Sequence, residues 1–426
     1  MEKRGNLVKF KKPVDTSSDD WQNMSSLHKD LKLDFFYRNQ NKELEDEEDL
    51  YTELSQYLLI DCDDETFNNY HKNNNEIIES VTKNLIFSNK IALTNNSNKN
   101  KRASSKRTLI KKIKQKNLKI INFDETLVKQ LSERTTLLGE NKIKVGILDT
   151  GVNDHVKLTG VINKGKSISF NPKENTDPSD VGNHGTPIAG IIAANHDTSE
   201  MKGICLNIEI IDIKVAKNVD NFDLFAICNA ILYAIDNGVK IINLSFSLPY
   251  LSNPEVDKEH YNLVGIFSKL IEKAYAKDIF IVFSAGNHNR NAVDYLPNNH
   301  EKLIVVGAID NNGKRWQNGV GSGSNFGEPV TIYAPGVEIL TTSGNNNNEF
   351  EVMRPGVSFA IPHVVGLLAL MLQVKPELKF DEAKHKIYDN GVHLDLNGDT
   401  KNHGNKIPRY INISKTINSL LNQKKS

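Results

Sequence analysis

The sequence is poor in cysteine and carries no excess of charge of either sign. Three of its 426 residues are cysteine, a small odd number that excludes a disulfide framework. No two of them, Cys62, Cys205 and Cys228, lie at the spacing of metal ligands. Lysine plus arginine and aspartate plus glutamate each number 53. This balance gives no reason to expect nucleic acid or an anionic membrane as a partner.

A secretion signal and a long hydrophobic run are also missing. The chain begins MEKRGNLVKFKKPVDTSSDDW, which is basic but lacks the apolar core of a signal peptide. No uninterrupted run of about eighteen apolar residues occurs, so we expect no membrane span. These absences predict a cytoplasmic protein, with secretion by another route left open.

The chain divides into two parts of different composition. Residues 1–140 are polar, with an acidic block at 43–49 (ELEDEED) and a basic run at 99–119. Charge blocks of this kind are typical of solvated or disordered chain. Apolar residues gather at 50–60 and 77–93, which predicts a small folded unit with helices within this part.

From Lys142 onward, short apolar runs alternate with longer segments of helical spacing. Strands are predicted at 142–149, 208–215, 241–244, 279–284 and 303–306. Helices are predicted at 184–194, 222–236, 261–276 and 358–372. This alternation, with strands that are apolar throughout, predicts a three-layer α/β fold with a doubly wound, mostly parallel sheet. In such folds the catalytic groups lie at the carboxyl ends of the strands.

A serine at the start of the most apolar helix has two interpretations. Ser358 either caps the helix predicted at 358–372 or is a nucleophile at its N-terminus. A nucleophilic serine needs a base, a carboxylate and donors for the oxyanion. His184, Asp149 and Asn287 are candidates, because each lies at a strand end or a helix start. Each also fits an ordinary turn or first helical turn, but the order Asp, His, Ser favours catalysis.

The segments around these positions resemble those of the subtilisin family of serine proteases, the subtilases. The matching segments are VGILDTGV (145–152), NHGTPIAG (183–190), IINLS (241–245), FSAGN (283–287) and PGVSFAIPH (355–363). Weaker matches are IVVGA (304–308), SNFG (324–327) and YAPG (333–336). The resemblance covers 142–370, with a less distinctive tail to about 420. It implies a subtilisin-like fold for this part of the chain.

The resemblance also implies a role for each candidate residue. Ser358 would attack the scissile carbonyl, His184 would be the general base, and Asp149 would orient and stabilise the imidazole. The Asn287 side chain and the Ser358 backbone N–H would hold the oxyanion. The residues implied to bind substrate are Ser245, Phe246, Ser247, Ala285 and Gly286.

Departures from the family pattern bear on specificity. Val357 stands where the family usually has threonine, and Phe359 stands where it has methionine. The glycines expected after Ser245 are replaced by FSLP (246–249). Because a glycine shelf lets an extended peptide pair with the enzyme as an added strand, its replacement predicts a restricted S1 pocket and a selective enzyme.

Subtilases commonly carry an N-terminal pro-segment. The resemblance divides the chain into a pro-segment or polar extension at 1–105, a basic linker and domain start at 106–141, and a catalytic domain at 142–420. We expect autocatalytic removal of residues 1–105, because exposed polar segments are where chains are cut. The alternative is an extension that stays attached and binds a partner.

Calcium is the one cofactor that the resemblance brings into consideration. The loop NHDTSE (195–200) lies where a family calcium loop would be and offers oxygen ligands. The usual aspartate in the turn after Asp149 is missing, which weakens this prediction. The segment DLNGD (395–399) is interpreted as a turn.

The sequence therefore predicts a serine endopeptidase that acts on a peptide or protein. The missing signal and the altered shelf favour a dedicated processing enzyme, of the kind that lantibiotic leader peptidases and intracellular subtilases represent. The alternative from another functional class is a subtilase-shaped protein that holds peptides without cutting them. Neither the oligomeric state nor the residue preferred before the scissile bond follows from the sequence.

Overall fold

The computed structural model describes residues 3–10, 32–35, 54, 57–61, 67–68, 72, 78–87, 117–139, 141–170, 178–197, 201–216, 222–248, 254–295, 297–319, 321–397, 399 and 401–423. The strands are β1 Lys3–Phe10, β2 Lys32–Phe35, β3 Tyr57–Asp61, β4 Ile78–Phe87, β5 Ile143–Asp149, β6 Ile168–Ser169, β7 Ile208–Lys214, β8 Phe222–Asp223, β9 Ile241–Leu244, β10 Phe280–Ser284, β11 Ile304–Ile309, β12 Ile332–Pro335, β13 Leu340–Thr342, β14 Phe350–Val352, β15 Val392–His393 and β16 Arg409–Tyr410. The helices are α1 Glu125–Leu137, α2 Gly185–Ala193, α3 Leu224–Asp236, α4 Pro254–Ala276, α5 Ile361–Val374, α6 Phe380–Asn390 and α7 Ile413–Gln423. Short 3-10 turns lie at Val156–Leu158, Lys164–Lys166, Ala292–Asp294 and Val357–Phe359.

The main sheet is parallel except at one edge. Its strand order is β15-β16-β12-β11-β10-β9-β5-β7-β6, and only β15 runs antiparallel to its neighbour. The chain enters at β5, extends through β7 on one side and then returns to β9 on the other side of β5. This reversal of direction opens a crevice at the carboxyl ends of β5 and β9. The predicted doubly wound α/β fold is confirmed.

Helices cover both faces of the main sheet. Side chains of α2 and α5 share one buried cluster with β5, including Ile147, Ile188 and Val365. Side chains of α3 and α4 form a second cluster on the opposite face, including Ile231 and Phe267. Burying apolar surface on both faces explains why the strands are apolar throughout rather than alternating.

The most apolar segment of the chain lies in the core. The window Val357–Val374 has a mean hydropathy of 2.0 over 18 residues, which by length and composition alone would suit a membrane span. It includes Ser358, His363 and Gln373, so it is not the uninterrupted apolar run that the sequence analysis excluded. All of this window is buried inside the protein, so α5 is a core helix that is apolar on every side.

The N-terminal residues form a second, antiparallel sheet instead of the predicted helices. Its strand order is β2-β3-β1-β4-β8, so it joins β8 of the later part of the chain. Leu7, Tyr57 and Leu59 belong to the same buried cluster as α3 and α4. The segment IIESVT (77–82) is rich in β-branched residues, which fit a pleated surface better than a helix.

Two helices begin later than the sequence predicts. The helix predicted from Ser358 begins at Ile361, and Ser358 lies in the 3-10 turn before it. Pro362 explains this boundary, since proline lacks an N–H and fits only the first helical turn. The helix predicted from Phe222 begins at Leu224, because the Asp223 carboxylate accepts the Ala226 N–H at 3.0 Å and caps α3.

The described cysteines fit the expectation that the chain has no disulfide framework. Cys205 and Cys228 are free thiols, and both are buried in the core. Burial raises the pKa of both thiols, which keeps them protonated and unreactive. Cys62 lies outside the residues that the structure describes.

Candidate active site

A buried aspartate and a histidine meet at the carboxyl end of β5. Asp149 is the last residue of β5 and is fully buried. Its Oδ1 lies 2.7 Å from His184 Nδ1 and accepts the Thr150 N–H at 2.8 Å. Because a carboxylate only accepts hydrogen bonds, this contact places the imidazole proton on Nδ1. His184 Nε2 is then unprotonated and can accept a proton.

The electrostatic surroundings of His184 favour its protonated form. Burial by itself lowers the pKa of His184 and is the largest single influence on it. The charge and hydrogen bond of Asp149, together with the charge of Asp180, outweigh burial and hold the pKa of His184 above its ordinary value. An imidazole in this setting can take a proton during a reaction and stabilise the cation that results.

A second buried aspartate, which the sequence analysis did not single out, anchors the start of α2. Asp180 Oδ2 accepts the Thr186 N–H at 2.8 Å, and Oδ1 accepts the Thr150 hydroxyl at 2.7 Å and the His184 N–H at 3.3 Å. The carboxylate thus satisfies free N–H groups at the helix N-terminus and fixes the backbone of His184. An N-cap residue stands directly before the first helical residue, so an aspartate four residues before His184 gave no capping signal in the sequence.

The residue that follows Ser358 packs against His184. The Phe359 ring packs against the His184 ring, with 5.5 Å between centroids. The carbonyl of Ser358 accepts the Ser245 hydroxyl at 3.2 Å, and Asn243 Nδ2 donates to the Ser245 hydroxyl at 2.8 Å. The turn that carries Ser358 is therefore tied to the end of β9, on the strand next to Asp149.

The amide of Asn287 is oriented by the same turn. Asn287 Oδ1 accepts the Val357 N–H at 2.8 Å. With its oxygen engaged, Asn287 keeps its NH₂ group as the donor that can act elsewhere. The structure thus brings together all four residues predicted for the triad and the oxyanion site.

The substrate-binding residues predicted from the sequence divide into two kinds. The Ala285 carbonyl accepts Nδ2 of Asn325 at 2.8 Å, and a Cβ on Gly286 would lie 2.4 Å from that nitrogen. At Ala285 and Gly286 it is therefore the backbone that a substrate could meet, and Asn325 packs behind it. The Phe246 side chain is fully buried, with its ring 4.7 Å from that of Phe222, so its side chain belongs to the core and not to a substrate surface. Ser245 and Ser247 are also buried.

Asn195 and Asp197, in the described part of the expected calcium loop, are engaged by a lysine. Lys157 is 2% exposed, and its ammonium group forms an ion pair with Asp197 and donates to the Asn195 carbonyl at 3.4 Å. A divalent cation placed among these oxygens would face a positive charge at close range. Across the described ranges of the chain, no group of three or more His, Cys, Asp or Glu residues could hold a metal ion. Of the loop 195–200, residues 198–200 lie outside the described part.

Comparison with known proteins agrees with this geometry. Residues 140–408 match the subtilase family. Subtilisin DY of Bacillus licheniformis is 31% identical over 260 residues, which cover 59% of this chain and 84% of that protein. The thermophilic serine proteinase of Bacillus sp. (strain AK1) is 32% identical over 235 residues, which cover 55% of this chain and only 53% of that protein.

Solved structures extend the likeness to the N-terminal part. The epidermin leader peptide processing serine protease EpiP from Staphylococcus aureus superposes with a TM-score of 0.65 at 19% identity, over 98% of this chain and 99% of EpiP. The nisin leader peptidase NisP from Lactococcus lactis does so with a TM-score of 0.56 at 21% identity, over 71% of this chain and 93% of NisP. At these identities the likeness concerns the fold.

Proposed function

The chain belongs to the subtilase family and is a subtilisin-like serine endopeptidase; from this premise we propose that Ser358 is its nucleophile, His184 its base and Asp149 the carboxylate that orients the base. The observation that supports this assignment is the 2.7 Å contact between Asp149 and His184 beside the turn that carries Ser358. Serine chemistry requires these groups in this arrangement.

In the proposed reaction one proton passes from Ser358 to His184 and then to the leaving amine. Ser358 Oγ bonds to the substrate carbonyl carbon while His184 Nε2 takes the hydroxyl proton. The C–N bond then breaks as His184 gives this proton to the leaving amine, which leaves an acyl-enzyme. Water attacks the acyl-enzyme by the same route and restores Ser358. The Asn287 NH₂ and the Ser358 backbone N–H donate to the oxyanion in each step.

A fluorophosphonate probe tests the assignment, because it labels only an activated serine. We expect the wild-type protein to be labelled and the Ser358→Ala and His184→Ala variants not to be. Ser414→Ala is the matched control, since Ser414 is a serine at the start of α7 whose hydroxyl donates to the Asn122 carbonyl. Labelling of Ser358→Ala, or no labelling of the wild type after limited proteolysis of the N-terminal part, would overturn the assignment.

We propose further that the enzyme processes one or a few substrates. The support is the replacement of the glycine shelf by FSLP (246–249), whose first residue is locked in the core. Residues with packed side chains give this segment less backbone freedom than glycines would, so it can adjust less to different peptides. The two leader peptidases of similar fold each act on a leader peptide by name, and a leader sequence is the class of substrate proposed here. A peptide library would test this: a single dominant cleavage motif is expected, and broad cleavage would contradict it.

Removal of the N-terminal part is proposed as the step that frees the cleft. β4 pairs with β8 as an antiparallel strand, with Ile86 opposite Asp223 and Phe87 opposite Phe222. Phe222 also bridges to Ala216, and the Val215 N–H bonds to the Asp149 carbonyl at 2.9 Å. The end of β4 is therefore held at the carboxyl edge of the main sheet, near the triad. We infer that a cut beyond Phe87 would release this strand from the edge of the sheet that carries Asp149.

Mass spectrometry of the purified protein tests this step. We expect the wild type to lose a segment that ends after Phe87 and before Asn117, consistent with the boundary predicted near 105. The Ser358→Ala variant should stay whole and should be cut when a small amount of active enzyme is added. A Ser358→Ala protein that is processed like wild type in pure form would contradict autocatalysis.

A further inference from the structure

A buried ion pair joins Asp399, in the C-terminal part of the domain, to Arg315, which follows β11. Arg315 Nε lies 2.6 Å from Asp399 Oδ2, and Nη2 lies 2.9 Å from Asp399 Oδ1. The Arg315 side chain is 0% exposed and that of Asp399 is 4% exposed. A two-point contact of this kind, removed from water, fixes the guanidinium in position as well as in charge.

The remaining nitrogen of Arg315 bonds to the loop that carries Asn287. Arg315 Nη1 donates to Asn289 Oδ1 at 2.9 Å and to the Ser324 carbonyl at 2.6 Å. Asn289 has a φ of 52°, a left-handed conformation that a side chain other than glycine adopts at a cost. The bond from Arg315 holds Asn289 in this conformation.

The backbone transmits this restraint to Asn287. Asn289 N–H donates to the Gly323 carbonyl at 2.9 Å, and the Gly323 N–H donates back to the Asn287 carbonyl at 3.1 Å. Any release of Asn289 would loosen this pair of bonds and shift the Asn287 side chain, which the proposed mechanism aims at the oxyanion.

We infer that Asp399 is a positioning residue for the oxyanion donor, acting through Arg315 and Asn289 on Asn287. The inference rests on the proposed role of Asn287. The C-terminal segment between β15 and β16 thereby becomes part of the catalytic apparatus. His403 supports Asp399 from the same segment, with Nε2 3.2 Å from Asp399 Oδ2.

The Asp399→Asn variant tests the inference through the split between kcat and KM. An oxyanion donor acts in the transition state and not in the bound substrate, so its displacement lowers kcat and leaves KM nearly unchanged. Loss of a whole oxyanion donor lowers kcat by about 10²–10³-fold. We expect Asp399→Asn, which weakens the hold on that donor, to lower kcat by roughly 10-fold or more.

The Asn289→Gly variant removes the side-chain acceptor of the Arg315 bond without straining the left-handed backbone. Glycine adopts a positive φ readily, so this variant is expected to fold even if Asp399→Asn does not. Its kcat should fall several-fold at unchanged KM. The matched control is Asp395→Asn in the same segment: Asp395 pairs with Lys314, the neighbour of Arg315, but both side chains are more than 40% exposed. This control should leave kcat and KM as in the wild type.

A double-mutant comparison separates positioning from a general structural role. If Asp399 and Asn289 act through Asn287, then Asn289→Gly should cost almost no further kcat in an Asn287→Ala background. An equal fold-loss in both backgrounds would overturn the inference while leaving the proposed function intact. If Asn287→Ala alone leaves kcat unchanged, the proposed role of Asn287 fails instead.

Discussion

Two buried carboxylates stabilise the site, Asp180 beside His184 (the base end) and Asp399 behind the loop of Asn287 (the oxyanion end), but they have different hydrogen-bond partners. At the base end, Asp180 accepts its described hydrogen bonds from a hydroxyl and two backbone N–H groups, which are all neutral. At the oxyanion end, Asp399 is bound by the guanidinium of Arg315. Asp180 therefore has no cation among these hydrogen-bond partners. The charge of Asp399 is neutralised by that of Arg315.

The reaction explains this difference. In the proposed mechanism a positive charge develops on His184 in the transition state, so a carboxylate without a cationic partner at the base end is favourable. In the same mechanism a negative charge develops at the oxyanion, and the Arg315 guanidinium offsets the charge of Asp399, which is linked to Asn287 through Asn289. The same residue type thus serves as an electrostatic element at one end and as an anchor at the other.

The largest expected effect comes from removing charge at the base end itself. Asp149→Asn should lower kcat by about 10⁴-fold, because an amide can donate to Nδ1 and stabilise the wrong tautomer of His184. Steady-state kinetics on a peptide substrate would measure it. Near-normal kcat in a folded variant would mean that His184 is not the base.

A smaller effect is expected from Asp180→Asn, which keeps the shape and an acceptor but removes the charge. Wild-type kcat/KM should require neutral His184, so it should rise with pH through a value above the ordinary histidine pKa of about 6.5. Without the Asp180 charge the pKa of His184 falls, and the acidic limb moves to lower pH. Asp154→Asn, an exposed pair with Lys164, should leave the profile in place. If the acidic limb of the kcat/KM profile does not move in Asp180→Asn, the charge of Asp180 does not act on His184 as inferred.

Lys157 tests whether a buried ammonium group stabilises the 195–197 loop. Lys157→Met should lower the free energy of unfolding by about 1–3 kcal/mol, since it leaves oxygen atoms of the 195–197 loop without their donor. Lys164→Met, which removes an exposed pair, should cost about 1 kcal/mol or less. Thermal unfolding with and without a chelator would check the accompanying expectation that the wild type is insensitive to calcium removal. A large loss of melting temperature on chelation would contradict it.

The smallest effect, and one of opposite sign, is expected at Asp212. This carboxylate is buried on β7 near Asp180, and a backbone hydrogen bond from Val152 offsets only part of the cost of burial. Burial, with a contribution from the Asp180 charge, raises the pKa of Asp212 well above its ordinary value. The folded state therefore binds a proton that the unfolded state releases above about pH 4, so stability is lost as pH rises from there.

Asp212→Asn removes this loss. We expect the variant to gain roughly 1 kcal/mol of unfolding free energy at neutral pH and nothing near pH 3, where the carboxyl is neutral in both states. Urea unfolding at the two pH values would measure the difference. A gain that is the same at both values would show that Asp212 does not titrate as inferred.

Local pattern in the sequence singled out four candidate residues that the structure places in one region. Asp149, His184, Asn287 and Ser358 each stand in a short motif, and the structure brings them together. Their roles, the domain boundaries and the compartment stay predictions. The parallel sheet followed from strands that are apolar throughout, because that pattern requires burial on both faces.

What the sequence could not reveal depends on contacts between distant segments. Asp399 and Arg315 are 84 residues apart, and neither stands in a motif that indicates a bond. Asp180 lies close to His184 in sequence, but only the folded loop turns its carboxylate onto α2. In the N-terminal part, short apolar patches fit either a helix or a strand, and pairing with β8 decided between them.

The phenyl ring of Phe359, packed on His184, also affects how the site responds to oxidants. A methionine at this position would carry a thioether next to the nucleophile, and peroxide converts a thioether to a bulkier, polar sulfoxide. A phenyl ring offers no sulfur for that reaction. The neighbour of Ser358 therefore stays chemically unchanged in an oxidising medium.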